Sequence, residues 1–449
     1  MSHSKTGHLK RDVGLFGVIA LAAGAVIGGG PFFLAAPASA LAGPSVWLSY
    51  LVIGLPMIAV AVCYAAIASA MPIEGGTYYY PTRVFSPFWG FLAGWARWLA
   101  YITPLALTAF VFSDHIQTVA PNIPAAVLMV GFIGFFYILN ALGIKISATA
   151  QMIMFGLLVL GFIIFIAAGL PKVDSANFSP AMPQGFGGVV RGAALLFFAY
   201  VGFTAAAEIG EEVKKPERNV PLGMILGLVV CIILYVLMSI AASGNLNWQD
   251  MSATNTPIFD AAKLVLPGVA STFLLVIVIM AVSTSQNGFQ LASSRIVLGL
   301  GRDRSVPERL SSINSRFGTP VWALTVSVLI ALIFVFSGKG LVFAVYTSNI
   351  TFLFSYVIVM IAVMVLKKNK PELYEKSPIK LKGAWQIVLP VIAIAVSVYF
   401  IALQEPTAML WSAVWLVIGA VVFLLRKRQL AKEGISLEGL MKEIHTPND

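Results

Sequence analysis

Charged side chains are scarce in this sequence: they make up 11% of its 449 residues, against about 25% in an ordinary soluble domain. Hydrophobic residues make up 59%, and the mean hydropathy is +0.90. This composition excludes an ordinary soluble protein and predicts an all-α membrane protein with many spans. The net charge of +10 is not a nucleic-acid signal, because the basic residues lie in loops between apolar runs, where they set orientation in the bilayer.

Cysteine and histidine are almost absent. Cys63 and Cys231 both lie in apolar runs, which argues against a disulfide framework. The histidines all lie in terminal or loop segments: His3, His8, His115 and His445. No span therefore carries the His, Cys and carboxylate cluster that a membrane-embedded enzyme or a metal site needs, and no nucleotide-binding motif is found. The sequence predicts no enzyme, no metal, no cofactor and no nucleic-acid partner.

Long apolar runs are present instead. A membrane helix needs about 20 apolar residues, and the first run is too long to be a cleaved leader. Twelve runs are predicted to span the membrane: 13–42, 44–70, 87–113, 123–142, 147–170, 187–212, 220–243, 268–300, 319–337, 340–366, 385–403 and 406–427. The loop at about 244–267 is predicted to hold a short amphipathic helix.

The basic residues are divided unevenly between the two sides of the predicted bundle. With the N-terminus inside, most of the 29 lysines and arginines fall in cytoplasmic segments. The outer loops hold three lysines: Lys172, Lys263 and Lys339. Three arginines lie in or at the ends of spans: Arg97, Arg191 and Arg295. This asymmetry predicts a multi-pass protein of the cell (cytoplasmic) membrane with both termini, 1–12 and 431–449, in the cytoplasm.

Two of the predicted spans are interrupted by glycine. The first contains "GAVIGGGPFF", from Gly24 to Phe33, and the sixth contains "AYVGFT" at 199–204. Glycine costs about 1 kcal/mol against alanine in a helix interior, and proline about 3 kcal/mol. An unwound turn, however, exposes N–H groups that can bind a carboxylate and C=O groups that can bind an ammonium or a cation. The alternative is that these glycines serve only close packing or a kink.

The two interruptions lie five spans apart, at matching positions of two halves. Such a pair is typical of transporters built from inverted repeats, whose substrate site lies between the breaks. The sequence therefore predicts a single transmembrane domain at 13–430, with one repeat at about 13–170 and another at about 187–366. Two appended helices follow at about 385–427.

Four segments resemble signature segments of one family. They are "GAVIGGGPFF", "LNALGIKISATAQ" (139–151), "FFAYVGFTAAAEIGEEVKKPERNVP" and "NGFQLASSRIVLGLGRDRSVPE". They are similar to the first, fifth, sixth and eighth helices of the amino acid–polyamine–organocation (APC) superfamily of permeases, and the resemblance covers about residues 11–430. It implies twelve transmembrane helices in a LeuT-like 5+5 inverted repeat with discontinuous helices 1 and 6. It also implies a secondary active transporter that moves an amino acid across the membrane by alternating access.

The resemblance further implies where the substrate binds. Its carboxylate would be held by three glycine N–H groups: Gly28, Gly29 and Gly30. Its ammonium would lie near the carbonyls of four residues: Ile27, Phe198, Ala199 and Val201. Gly202 belongs to the second break, and the ring of Phe198 would form an aromatic gate above the ligand.

Several positions depart from the family pattern. Pro31 stands where the family usually has Ile, and it removes one N–H that is not among the three glycine donors. Thr204 stands where relatives with cationic substrates often have an acid. A lysine of the fifth span and its hydroxyl partner of the eighth are replaced by Leu158 and Phe289. These replacements argue against lysine-mediated proton coupling and weaken the case for a sodium site there.

Glu208 leaves two interpretations open. An acid inside a membrane segment is costly and is a functional candidate by default, so it would hold a cationic amine or a co-transported proton. Alternatively, it pairs with Lys or Arg at the cytoplasmic end, since Glu211 and Glu212 follow closely. The neutral Thr204 and the glycine donors favour an amino acid as the substrate. The alternative is an importer or exchanger of a polyamine or other cationic amine, which would bind its substrate through Glu208. A nutrient receptor or a channel on the same fold is the remote alternative.

Two further polar positions are candidates. The eighth span carries a polar stripe on one helix face: Ser283, Asn287, Gln290 and Ser294. Asn287 is the member predicted to reach the cavity, and hydrogen bonding between helices is the alternative. Arg97, between Trp95 and Trp98 in the third span, is predicted to snorkel or stack rather than to bind substrate.

Overall fold

The structure is a computed structural model that describes residues 8–254, 256–268, 270–337 and 341–443. His3, Lys339 and His445 lie outside these residues. The described chain is helical, with two isolated β-bridges and no sheet. Its α-helices in chain order are α1 (Leu15–Val26), α2 (Gly30–Phe33), α3 (Ala35–Ala42), α4 (Val46–Ala70), α5 (Gly76–Val84), α6 (Pro87–Gln117), α7 (Ala125–Ala141), α8 (Ile144–Gly169), α9 (Gly185–Leu196), α10 (Pro216–Asn245), α11 (Trp248–Ala253), α12 (Pro257–Val265), α13 (Ala270–Arg302), α14 (Val321–Phe336), α15 (Leu341–Asn369), α16 (Pro371–Lys376), α17 (Trp385–Ala402), α18 (Pro406–Lys432) and α19 (Leu437–Leu440).

Ten segments of the described chain are long and apolar enough to cross a membrane. They are Leu15–Phe33, Ala35–Ala70, Pro87–Gln117, Ile144–Lys172, Gly185–Glu208, Pro216–Asn245, Thr272–Arg302, Phe343–Asn369, Trp385–Ala402 and Pro406–Lys432. Two further apolar helices, α7 with 17 residues and α14 with 16, lie where the sequence predicts spans. Because both are shorter than the roughly 20 residues of a typical span, the count of twelve stays a prediction, as does the inverted repeat.

The segments differ in how deeply they are buried. The apolar window is 83% buried in Leu15–Phe33 and in Gly185–Glu208, against 22% in Trp385–Ala402 and in Pro406–Lys432. The outward side chains of the last two are large and apolar: Ile387, Val398, Leu410 and Leu424. An apolar outward face suits lipid rather than water. The two interrupted spans therefore lie in the core of the bundle, and α17 and α18 lie at its rim.

Both predicted interruptions are present. In the first, α1 ends at Val26 and helical structure resumes at Gly30. In the second, α9 ends at Leu196, and 3-10 turns follow on either side of Gly202. Gly202 has a φ of 120°, a backbone conformation that costs glycine far less than any other residue.

The chain after Gly202 differs from the continuous helix expected up to residue 212. It forms 3-10 turns at Phe203–Glu208 and Gly210–Glu212, a segment that we call the 3-10 arm. A β-bridge between Glu74 and Ile209 pins this arm to the chain that follows α4. The N–H of Gly75 also donates to the carbonyl of Glu208 at 2.9 Å. These long-range bonds override the helix-forming alanines of the sequence, because tertiary contacts outweigh local propensity.

Two connecting stretches hold helices of their own. The loop at about 244–267 contains both α11 and α12, where one short helix is predicted. Between α4 and α6, the sequence predicts no element, but α5 follows Gly75, whose φ is 66°. A Cβ at Gly94 of α6 would lie 2.8 Å from the Cβ of Tyr78. This glycine therefore lets α5 lie directly against α6 and brings the buried side chains of α5 into the core.

Two tryptophans fasten α18 to α6. The indole Nε1 of Trp95 donates to the carbonyl of Trp415, and the indole of Trp415 donates to the carbonyl of Trp95, each at 3.0 Å. The rings are stacked with their centroids 4.8 Å apart. Gly419 leaves room for this contact, since a Cβ there would lie 2.5 Å from Cδ1 of Trp95.

Candidate functional site

The two helix breaks contact each other in the core of the bundle. A Cβ at Gly202 would lie 2.8 Å from the carbonyl carbon and oxygen of Ala25, so only glycine fits where the second break crosses the first. A Cβ at Gly30 would lie 3.4 Å from Cα of Ala199 and from Cδ1 of Phe198, which is ordinary contact. The predicted residues of the two turns are therefore neighbours in space.

The three predicted glycine donors are not equivalent. The N–H of Gly28 donates to the carbonyl of Val26 at 2.9 Å and is already used. Among the described residues, neither Gly29 nor Gly30 has a hydrogen-bond partner for its N–H. The expectation of three free donors is thus corrected to two, because the backbone folds back on itself at Gly28.

Side chains satisfy most of the carbonyls that the first break releases. Ser285 of α13 donates to the carbonyls of Gly24 and Ala25 at 3.2 and 3.0 Å. Tyr235 of α10 donates to the carbonyl of Val26 at 3.1 Å. Each freed group in a membrane segment needs such a partner, so these carbonyls are held by the protein itself.

The carbonyl of Ile27 is only weakly bonded. Four residues on, where a helix would supply an N–H, the chain has Pro31, which has none. Its contact is the Thr284 hydroxyl at 3.4 Å. Of the other carbonyls predicted to face a substrate ammonium, that of Phe198 accepts from the N–H of Val201 at 3.4 Å, and those of Ala199 and Val201 have no hydrogen-bond partner among the described residues.

Phe198 lies beside the glycine turn. Its side chain is 7% exposed, and its ring centroid is 6.4 Å from that of Phe33. The following residues, Ala199 and Val201, are also buried, and Val201 is extended, with φ −72° and ψ 145°. All the predicted turn residues are therefore shielded from the surface, as in a closed site.

Arg97 is fully buried and lies next to the second break. Its guanidinium donates to the hydroxyls of Thr204 and Tyr64, each at 2.8 Å. It also lies over the rings of Phe352 and Tyr356, at 4.5 and 4.7 Å from their centroids. The side chain therefore stacks but does not snorkel, because polar partners reach it inside the bundle.

Glu208 is fully buried and is held by neutral donors. It accepts hydrogen bonds from the N–H of Thr77 at 3.1 Å, the hydroxyl of Thr77 at 2.5 Å and the hydroxyl of Tyr101 at 3.1 Å. Tyr64 lies 3.4 Å from the Thr77 hydroxyl and links this acid to Arg97. Glu208 is thus one end of a hydrogen-bonded chain between two buried charges.

Asn287 lies away from the glycine turn, contrary to its predicted place in the cavity. Its side chain is bonded to three polar residues of α7 and α8: Asn140, Ser147 and Gln151. Thr284 and Ser285, earlier on the same helix, face the turn instead. Both lie between Ser283 and Asn287 of the polar stripe, but the helical period alone does not show which face of the helix meets α1. Nearby, Phe289 packs against Tyr101 with ring centroids 5.8 Å apart, and Leu158 is buried.

Beyond Glu208, the 3-10 arm ends in ion pairs. Arg295 of α13 donates to both carboxylate oxygens of Glu212, at 3.0 and 2.7 Å. Arg302 donates to both oxygens of Glu211, at 2.6 and 3.0 Å. The basic partners considered for Glu208 are therefore taken by the two acids that follow it.

A third ion pair joins α5 to the end of α13. The guanidinium of Arg83 donates to both carboxylate oxygens of Asp303, one of them at 2.6 Å. Its Nε also donates to the carbonyl of Glu443 at 2.9 Å. Near the other end of the chain, the N–H of Val13 donates to the carbonyl of Glu212 at 3.1 Å. The ion pairs therefore lie at the end of the bundle where both described chain ends lie.

Two broken helices in contact at the core of a bundle of apolar spans are typical of a membrane transport protein. The match with known sequences refines this class. The chain belongs to the amino acid permease family, whose model matches residues 13–425. The resemblance to the APC superfamily is thereby confirmed.

Similar proteins match along almost the whole chain. The chain is 30% identical to the branched-chain amino acid permease BcaP of Bacillus subtilis (strain 168), over 94% of each chain. It is 28% identical to the methylthioribose transporter of the same organism, over 95% of this chain and 96% of that one. It is 26% identical to the BcaP of Lactococcus lactis subsp. cremoris (strain MG1363), over 90% and 92%. The protein is therefore a multi-pass membrane transporter and not an enzyme, as the sequence predicts.

Proposed function

We propose that this protein is a secondary active transporter that moves a neutral amino acid across the cytoplasmic membrane by alternating access. The substrate carboxylate is held by the free N–H groups of Gly29 and Gly30. Its ammonium lies toward the carbonyl of Ile27, with Phe198 covering it. Movement of the two broken helices relative to the rest of the bundle exposes this site to each side in turn.

One observation carries the proposal: the two breaks meet where backbone donors and acceptors are left free or weakly bonded. Unpaired backbone groups inside a membrane are costly, so a site with two free N–H groups and with weakly bonded or unpaired carbonyls suits a ligand that supplies the missing partners. A zwitterion supplies a carboxylate to the N–H side and an ammonium to the C=O side. The glycines allow it to approach the backbone.

The substrate class follows from the neutral second break. Thr204 carries no charge, and its hydroxyl is bonded to Arg97 at 2.8 Å. No acid therefore stands there to bind a basic side chain. Two of the relatives are named as branched-chain amino acid permeases, which supports an apolar neutral amino acid. Another is named as a methylthioribose transporter, so a neutral solute without a carboxylate belongs in the test.

A cationic amine ranks second. Glu208 is the buried acid that would bind it, but its oxygens already accept three hydrogen bonds. Arg97 lies at the other end of the same chain of hydroxyls, so an added cation would face a buried positive charge. This arrangement favours a substrate with no net charge.

Counterflow in proteoliposomes tests the proposal. Vesicles are loaded with one unlabelled solute, and the entry of the same solute, labelled and added outside, is measured. The solutes compared are leucine, valine, glutamate, lysine, putrescine and methylthioribose. We expect the neutral amino acids to exchange and putrescine to fail. Rapid exchange of putrescine would indicate that Glu208 is the main substrate-binding group. Exchange of methylthioribose alone would show that the site does not bind a substrate carboxylate.

Substitutions at Gly29 test the placement of the site. Its Cβ would lie 3.4 Å from Val111 and 3.5 Å from Val282, so Gly29→Ala fits and Gly29→Leu fills the turn. We expect Gly29→Leu to abolish counterflow and Gly29→Ala to weaken it. Gly156→Leu is the matched control, because that glycine of α8 is exposed and has nothing within 4 Å of its Cβ. Normal counterflow by a folded Gly29→Leu protein would refute the placement.

A further inference from the structure

The charges at the end of the 3-10 arm do not balance. Three arginines are each bonded through two nitrogens to one carboxylate, in the pairs Arg83–Asp303, Arg295–Glu212 and Arg302–Glu211. A fourth acid, Glu74, lies beside them. It is 0% exposed, and neither of its carboxylate oxygens has a hydrogen-bond partner among the described residues.

The surroundings of Glu74 disfavour its charged form. Acids face it from the 3-10 arm, arginines face it from α13, and a tyrosine faces it from α5: Glu211, Glu212, Arg295, Arg302 and Tyr80. Burial raises the pKa of Glu74 well above its usual range, and repulsion by Glu212 adds to this. Each of the two arginines is already matched by its own acid. An unpaired carboxylate without hydrogen bonds is too costly to bury charged, so Glu74 is neutral here.

The position of Glu74 ties its environment to the second broken helix. Its N–H donates to Oε1 of Glu211 at 3.2 Å, and its backbone pairs with that of Ile209. One residue before it, the backbone N and O of Ile73 lie 2.7 Å from the place of a Cβ at Gly210. The 3-10 arm therefore covers Glu74 directly, and water reaches the carboxyl only when the arm moves away.

We propose that Glu74 is the proton-binding group that couples transport to proton movement. It holds a proton while the 3-10 arm is closed over it and releases the proton when the arm opens. In that step, the O–H bond of the Glu74 carboxyl breaks, the electron pair stays on the carboxylate and the proton passes to water. Since both chain ends lie at this end of the bundle and are predicted to be cytoplasmic, the proton enters the cytoplasm. This inference rests on the proposed transport function and names its coupling ion.

A metal cation suits the same place poorly. The guanidiniums of Arg295 and Arg302 face Glu74 and would repel an added cation, whereas a proton removes the negative charge without adding a positive one. The oxygens of Glu211 and Glu212 are already taken by these arginines. No group of three or more His, Cys, Asp and Glu side chains in the described ranges is placed to hold a metal ion.

The test compares Glu74→Gln with the unaltered protein in proteoliposomes that contain a pH-sensitive dye. An amino acid that exchanges in counterflow is added outside, with equal pH and no sodium on either side. We expect its uptake by the unaltered protein to acidify the lumen in right-side-out vesicles. Glu74→Gln keeps the shape and the neutral state, so we expect it still to exchange the amino acid in counterflow, whereas its proton signal during net uptake falls at least tenfold. Glu375→Gln, at an exposed acid bonded to Lys380, should acidify like the unaltered protein.

The outcomes separate this inference from the proposed function. Proton uptake by Glu74→Gln at the unaltered rate overturns the role of Glu74. Net uptake by the unaltered protein without any proton signal, or accumulation driven by a sodium gradient at constant pH, overturns proton coupling and leaves amino acid transport standing. If no amino acid exchanges, the proposed function itself fails. Should Glu74→Gln not fold, Glu74→Asp provides the second test, and we expect it to retain proton uptake with an altered pH dependence.

Discussion

The guanidinium of Arg97 donates to the hydroxyl of Thr204 across 2.8 Å inside the bundle. This bond joins the third predicted span to the sixth only two residues after Gly202. The second guanidinium nitrogen reaches Tyr64 of α4, also at 2.8 Å. One buried cation therefore links three helices around the second break, and its loss should affect both the stability and the movement of that break.

Replacing Arg97 should be severe. Arg97→Gln removes the donors to the buried hydroxyls of Thr204 and Tyr64, and leaving buried polar groups unpaired costs about 1–3 kcal/mol each. We expect lost counterflow and a lower melting temperature in detergent. Arg97→Lys should not restore activity, because an ammonium lacks the planar fork and the ring contacts. Arg191→Gln, at an exposed arginine bonded to Gln184, is the control. A stable, active Arg97→Gln protein would contradict a structural role for this charge.

Gly202 should tolerate no side chain. Its φ of 120° strains any other residue by about 1–3 kcal/mol, and a Cβ would meet the Ala25 carbonyl at 2.8 Å. We expect Gly202→Ala to lower the melting temperature and to reduce transport at least tenfold. Gly156→Ala, in an open helical position, should be neutral or slightly stabilising. Equal behaviour of the two variants would mean that the breaks do not cross as described.

Ser285 should matter for the shape of the first break. Its hydroxyl bonds the Gly24 and Ala25 carbonyls, and leaving buried carbonyls unpaired costs about 1–3 kcal/mol. We expect Ser285→Ala to raise the KM for uptake more than it lowers the maximal rate. Ser293→Ala on the same helix removes only a bond to its own turn and serves as the control. An unchanged KM for Ser285→Ala would show that the turn keeps its shape without this bond.

The proton on Glu74 also predicts a pH dependence of stability. The pKa of this acid is raised in the folded protein, chiefly by burial, so the folded state binds the proton more tightly than the unfolded chain does. Stability should therefore fall as pH rises from the ordinary glutamate pKa of about 4.3 toward the raised folded value. Melting curves of the unaltered protein and of Glu74→Gln, recorded across pH, check this. The two should diverge with rising pH, and parallel curves would contradict a buried neutral Glu74.

The breaks could be predicted from sequence because their signal is local. Three consecutive glycines and Pro31 cannot continue a helix cheaply in any environment, so their effect does not depend on neighbours. The correction at Gly28, by contrast, could not be predicted. Its N–H turns to the carbonyl of Val26, and nothing in the order of residues says which of several adjacent donors closes the turn.

The polar contacts between helices were harder to predict for a different reason. Asn287 and Ser285 lie two residues apart, and a helical repeat assigns them to different faces without saying which face meets α1. The same limit applies to the 3-10 arm, whose alanines favour a helix locally. Its actual form depends on a bridge between Glu74 and Ile209, two residues separated by most of the first half of the chain.

The paired tryptophans have a consequence for how movement could be observed. The indole N–H of Trp95 donates to the carbonyl of Trp415, and that of Trp415 donates to the carbonyl of Trp95. We therefore expect α6 and α18 to move as one rigid unit. A spectroscopic label on the outer face of α18, where Leu424 is exposed, should then move together with α6. Distances measured from it to the segment after Gly202 would report the motion of that segment relative to α6 and α18.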